Sequence, residues 1–139
     1  GRGNGAAVQA AYATLGLQAD VREYLSPMAQ AYDWADFVIA RSGAGTVSEI
    51  AAVGIPALFV PFAAAADNHQ VANARPLVEA GGALMVEERD FAAEAVTERL
   101  VQALRNAPAL QAMAEASRRM GQRDAVARMV EEIRGMVAR

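Results

Sequence analysis

Phe37-Val38-Ile39-Ala40 is a short apolar run without polar alternation, and Arg41-Ser42-Gly43-Ala44-Gly45-Thr46-Val47-Ser48-Glu49 follows it, leading into a helical pattern through Ile50, Ala51 and Val53. A run of this kind suits a strand buried on both faces, and such strands belong to parallel sheets with helices on both sides. The order strand, Gly-rich turn, helix also has chemical content. Glycines let the backbone approach an anion closely, and the amides of the helix start point at it. A diphosphate fits such a seat, and Glu49, one turn into the helix, can accept hydrogen bonds from two neighbouring hydroxyls, as a ribose presents them. Plainer alternatives exist for both features. Gly-rich turns between strand and helix are common in α/β proteins, and Thr46-Val47-Ser48-Glu49 fits a capping box, with Glu49 folded back onto its own helix start. On these residues alone, capping is the better account of Glu49.

The rest of the chain repeats the alternation. Ala6 to Leu15 predicts a helix stopped by Gly16, Ala19 to Leu25 a strand, and Ser26-Pro27 the start of a helix reaching about Trp34. Further strands are expected at Asp36 to Ala40, Ala57 to Val60 and Ala83 to Val86, with helices at Gly45 to Val53 and Asn68 to Ala80, the latter open to a kink at Pro76. Phe62 to Asp67 reads as a loop. Three more helices follow, at about Ala92 to Arg105, Ala109 to Met120 and Arg123 to Val137. In the last, Val126, Met129, Val130, Ile133 and Val137 form one apolar stripe. The expected fold is therefore α/β, a Rossmann-like parallel sheet of four countable strands with helices on both faces. Ligands of such sheets bind outside the carboxyl ends of the strands, which groups the loops at Tyr24 to Ser26, Arg41 to Thr46 and Phe62 to Gln70.

Composition narrows the chemistry. The 139 residues suit one domain, and 54% hydrophobic residues suffice for a core. A net charge of -3, without any basic run interleaved with aromatics, argues against a nucleic-acid partner. There is no Cys and one His, so neither a disulfide framework nor a thiolate metal site is expected, and no cofactor is called for. The longest apolar stretch, Ile55 to Ala66, carries two prolines and is too short to span a bilayer. The chain opens on Gly-Arg-Gly-Asn-Gly instead of Met, from which truncation at the amino terminus is expected, with one or two strands preceding residue 1.

Tyr32-Asp33-Trp34-Ala35-Asp36, Arg41 to Ile50, Gly54-Ile55-Pro56-Ala57-Leu58-Phe59-Val60-Pro61-Phe62, Asp67-Asn68-His69-Gln70 and Asn73-Ala74 together resemble, in order and spacing, the bacterial peptidoglycan N-acetylglucosaminyltransferases. These make lipid II by adding GlcNAc to lipid-linked muramoyl-pentapeptide. The resemblance covers essentially the whole chain, and is strongest from Asp20 to Ala83. It implies the carboxyl-terminal, donor-binding half of a two-domain GT-B enzyme, so that residues 1–139 form a nucleotide-sugar domain and the helix at 123–139 crosses to an acceptor domain. It implies uracil at Leu25, with Tyr24 and Met28 as apolar neighbours, diphosphate and sugar against Ala44, Gly45, Thr46, Val47 and Ser48, ribose at Glu49, and the donor sugar at Gln70. Ser42, Gly43, Asp67, His69 and Asn73 are further candidates for ligand contact. Glu49 thereby becomes a ribose acceptor in preference to a cap.

The resemblance further implies UDP-GlcNAc as donor, a lipid-linked acceptor bound by the other domain, metal-independent inverting transfer, and peripheral attachment of the whole enzyme to the inner face of the cytoplasmic membrane. Preorganised amides at the helix start would stabilise charge on the departing diphosphate, worth roughly 3 kcal/mol for one good donor. No residue is assigned as catalytic: His69 suits a polar contact at a helix start, Trp34 suits packing, and the family's base lies in the other domain. The chain alone is expected to bind donor and transfer nothing. Ala63-Ala64-Ala65-Ala66 departs from the family, whose members carry polar residues there. The competing expectation is a non-catalytic nucleotide-sugar-binding subunit served by a separate acceptor subunit.

Overall fold

Val38–Ala40, Ala57–Phe59 and Ala83–Met85 form the strands β1, β2 and β3 of a computed structural model that describes residues 3–63 and 68–137. Each is three residues of continuous apolar chain, and the three pair in parallel in the order β1-β2-β3. Ile39 lies opposite Leu58, and Leu58 opposite Leu84. The ladders run on past the strand ends, since the Val60 amide donates to the Ala40 carbonyl at 2.9 Å and the Val86 amide to the Phe59 carbonyl at 3.0 Å. Central β2 is wholly buried, and its pairing with β1 and β3 satisfies its main chain from both sides.

The chain comprises two units, residues 1–35 and 36–139. The first holds the helices α1 (Gly5–Thr14) and α2 (Met28–Trp34). The expected strand at Ala19 to Leu25 is not formed; the segment is irregular with a bend at 23–24, and among the described residues it has no ladder partner, without which alternation of side chains does not make a strand. Four expected strands thus become three. Pro27 stands one position before α2, not inside it.

The second unit holds the sheet together with α3 (Ala44–Val53), α4 (His69–Glu79), α5 (Ala93–Leu104), α6 (Ala107–Met120) and α7 (Ala125–Val137). One face of β2 presents Leu58, which clusters with Val86 and with Val96 of α5, flanked by Phe37, Leu84 and Leu100. Ala57 and Phe59 point to the opposite face and are fully buried. Right-handed crossovers put α3 and α4 on a common face, where they pack on each other and on α6. Helix α4 runs through Pro76. Helix α6 starts two residues earlier than its apolar pattern indicates, because Asn106 Oδ1 accepts from the Ala109 amide and Pro108 fits the first turn.

The carboxyl end of α3 is closed by two devices. Gly54 takes a left-handed conformation, φ 82°, against the side chain of Arg118, and Arg123 Nε donates to the Ala52 carbonyl at 2.7 Å. Gly121 packs face to face with the same turn, such that a Cβ there would run into the Ala51 carbonyl. Beyond Arg123, α7 leaves its apolar stripe in solvent, from Val126 at 78% to Val137 at 82% exposed. Among the described residues no helix is long and apolar enough to cross a membrane.

Gly121→Ala is expected to destabilise the protein by about 2 to 3 kcal/mol, since two main-chain segments must separate to admit the methyl. Urea unfolding measures it, and Gly135→Ala, with open space around it, is the matched control that should lose nothing.

Candidate functional site

Parallel pairing turns the carboxyl ends of all three strands toward one rim, and the loops that leave them carry most of the polar side chains of interest. Gly43 precedes α3 in extended conformation and occupies its cap position without a side-chain cap. The first intrahelical bond runs from the Val47 amide to the Gly43 carbonyl, 3.0 Å. Ala44, Gly45 and Thr46 therefore stand in the first turn, where amides have no intrahelical acceptor, and no other acceptor for them is found among the described residues. Ala44, Gly45 and Ser48 are exposed, while Thr46 and Val47 are half-buried.

This register decides against the capping account of Glu49. A capping box needs the acid at the third helical position, and Thr46 already holds that place. Glu49 lies three residues further on, exposed and one turn along from the amides.

Helix α4 runs alongside. Asn73 Nδ2 donates to the Ser42 carbonyl at 3.1 Å, which ties α4 to the turn before α3. The Ser42 side chain is fully buried, and among the described residues its hydroxyl is the buried side-chain polar atom without a hydrogen-bond partner. Leaving such a group unpaired costs about 1 to 3 kcal/mol. Gln70 Oε1 accepts from the Phe62 amide at 2.9 Å, and His69 is exposed at the start of α4. The structure thus brings Ser42 to Glu49, Asn73 and Gln70 together. Tyr24, Leu25 and Met28 belong to the first unit, where all three are exposed, Leu25 at 43%. Asp67 lies outside the described residues, as does most of the run Ala63 to Ala66.

One constellation on the rim escapes sequence reasoning. The Arg41 guanidinium, just past β1, donates through one nitrogen to the carbonyls of Val60 and Pro61, both at 3.1 Å. Its other nitrogen meets Glu88 Oε1 at 2.5 Å, and its carbon stands 5.4 Å from the centre of the Phe62 ring. Glu88 opens a single 3-10 turn, Glu88–Asp90, after β3, and its second oxygen accepts from the Ala63 amide at 3.0 Å. All three strand ends are thereby joined through one arginine. The Arg41 hydrogen bond, then the Ala63 amide, hold the Glu88 carboxyl below its ordinary value, with partial desolvation opposing them. Forty-seven residues separate the two side chains, so no local pattern announces the pair.

Among the described residues no cluster of His, Asp and Glu could hold a metal ion.

Comparison with known proteins identifies the family of the fold. Residues 1–129 match the Glycosyltransferase family 28 C-terminal domain. The UDP-N-acetylglucosamine--N-acetylmuramyl-(pentapeptide) pyrophosphoryl-undecaprenol N-acetylglucosamine transferase of Thiobacillus denitrificans is 44% identical over 131 residues, 94% of this chain and 35% of that protein. Its counterpart in Tolumonas auensis is 40% identical over 138 residues, 99% of this chain and 39% of that protein. The crystal structure of Acinetobacter baumannii MurG superposes with a TM-score of 0.87 at 36% identity, over 97% of this chain and 39% of that one. The chain accordingly spans well under half the length of these relatives.

Because the Arg41 hydrogen bond and the Ala63 amide hold the Glu88 carboxyl below its ordinary value, its contribution is complete above that ordinary value and is lost as pH falls through the lowered one. Melting curves between pH 6 and about pH 3 should show wild type losing stability faster on acidification than Glu88→Gln, which has no such proton to take up.

Proposed function

Given that the chain belongs to the Glycosyltransferase family 28 C-terminal domains, we propose that it is the donor-binding part of a transferase that moves GlcNAc from UDP-GlcNAc to lipid-linked muramoyl-pentapeptide in peptidoglycan synthesis. The observation that carries the proposal is the first turn of α3, whose Ala44, Gly45 and Thr46 amides have no acceptor among the described residues and stand one turn from the exposed Glu49. Pyrophosphate oxygens suit those amides and the ribose diol suits that carboxylate.

The roles follow the chemistry of each position. Ala44 to Ser48 receive the diphosphate, with Ser42 and Gly43 shaping the turn; Glu49 takes the ribose; Gln70 takes the sugar, with His69, Asn73 and Asp67 as neighbours along the chain. Leu25, with Tyr24 and Met28, takes the uracil. During transfer, negative charge grows on the departing diphosphate, and amides already aimed at it stabilise that charge without reorganising. The acceptor and its base come from the remainder of a longer protein, which also supplies peripheral contact with the inner face of the cytoplasmic membrane. We assign the exposed stripe of α7, Val126 to Val137, to the surface that packs on the acceptor domain.

UDP and UDP-GlcNAc should both raise the melting temperature of the chain, as ligands of the folded form do. Glu49→Ala should weaken UDP about tenfold, while 2',3'-dideoxy-UDP, lacking the diol, should bind wild type and variant alike. Equal losses for both ligands would remove Glu49 from the ribose. The chain by itself should show no GlcNAc transfer in a radiolabelled-donor assay, and turnover there would contradict the division of labour.

A further inference from the structure

We infer that Glu88 is a positioning residue for the sugar half of the ligand, acting through Arg41 and the loop after β2 upon the carboxamide of Gln70. The inference rests on the function proposed above and extends it to a residue with no place in the donor contacts.

A glutamine carboxamide has an acceptor end and a donor end, and by itself it can present either to a ligand. The Phe62 amide can only donate. Its bond to Gln70 Oε1, 2.9 Å, therefore turns Nε2 to the other side, where two N–H donors await acceptor oxygens such as sugar hydroxyls or an acetamido carbonyl. Orientation of Gln70 thus depends on where the Phe62 amide stands.

Phe62 is held from both sides along the chain. Arg41 grips the carbonyls of Val60 and Pro61 immediately before it, and stacks on its ring. Glu88 Oε2 takes the amide of Ala63 immediately after it. Arg41 is in turn fixed by Glu88 Oε1, so both oxygens of one carboxylate serve the same four residues. The Arg41 and Glu88 side chains are 46% and 37% exposed, and an isolated ion pair so placed contributes little to stability. The geometry accounts for the pair better as a clamp on Val60 to Ala63 than as a stabilising bridge.

The test is calorimetric titration of wild type, Glu88→Ala and Glu88→Gln with UDP and with UDP-GlcNAc. Glu88→Ala should lose about fivefold more affinity for UDP-GlcNAc than for UDP, the factor expected when one well-oriented hydrogen bond is forfeited. Glu88→Gln retains one oxygen, enough for Arg41 or for the Ala63 amide but not for both, and should fall between. Amide exchange in the variants should quicken at Phe62 and Ala63 while Leu58 and Phe59 stay protected. Where wild type binds both ligands, equal loss for both in Glu88→Ala would mark a merely structural role and overturn the inference, as would no loss for either. Binding of neither ligand by wild type would remove the proposed function, and this inference with it.

Discussion

Everything at the rim depends on the burial of β2 between two parallel neighbours. Its three residues are wholly enclosed, so their amides and carbonyls must find partners in β1 and β3, and the apolar layer on each face excludes water as a substitute. Parallel pairing then has a geometric consequence: three chain segments leave the sheet on the same side, each with main-chain groups still to be satisfied. Helix α3 satisfies some and leaves its own first amides open. The loop after β2 has no helix at once to take it up, and its carbonyls are met by Arg41 instead.

Two kinds of order result. The start of α3 is preorganised by the helix itself, since its amides point along the axis whatever side chains surround them. Gln70 is preorganised from outside, by an amide that belongs to a loop and is held by residues from the ends of β1 and β3. In the proposed function the first kind serves the diphosphate, common to every UDP sugar, and the second serves the sugar, which distinguishes one donor from another. Placing the two on different supports allows one to vary without disturbing the other.

Much of this was legible in residues read one segment at a time. The apolar runs at Val38, Ala57 and Ala83 announced the strands, and Gly43 with the helical pattern through Val53 announced the turn into α3. The strand expected at Ala19 to Leu25 fails for a reason that lies outside the segment: alternation records a face, whereas a strand needs a neighbour. Glu49 is the instructive case, because Thr46-Val47-Ser48-Glu49 carries the letters of a capping box while the cap lies three residues earlier, at Gly43. A motif's meaning there turns on register, which side-chain types alone do not set.

Taken by itself, the sequence determined the α/β class, the parallel character of the sheet and the position of the Gly-rich turn, since these follow from local apolar periodicity and from backbone freedom at a few residues. Only the tertiary structure decided that Arg41 meets Glu88, that Asn73 ties α4 to Ser42, and which end of Gln70 is free to donate. Those contacts join residues 8 to 47 positions apart through side chains whose partners are chosen by where separate elements come to rest. Periodicity carries no record of that distance.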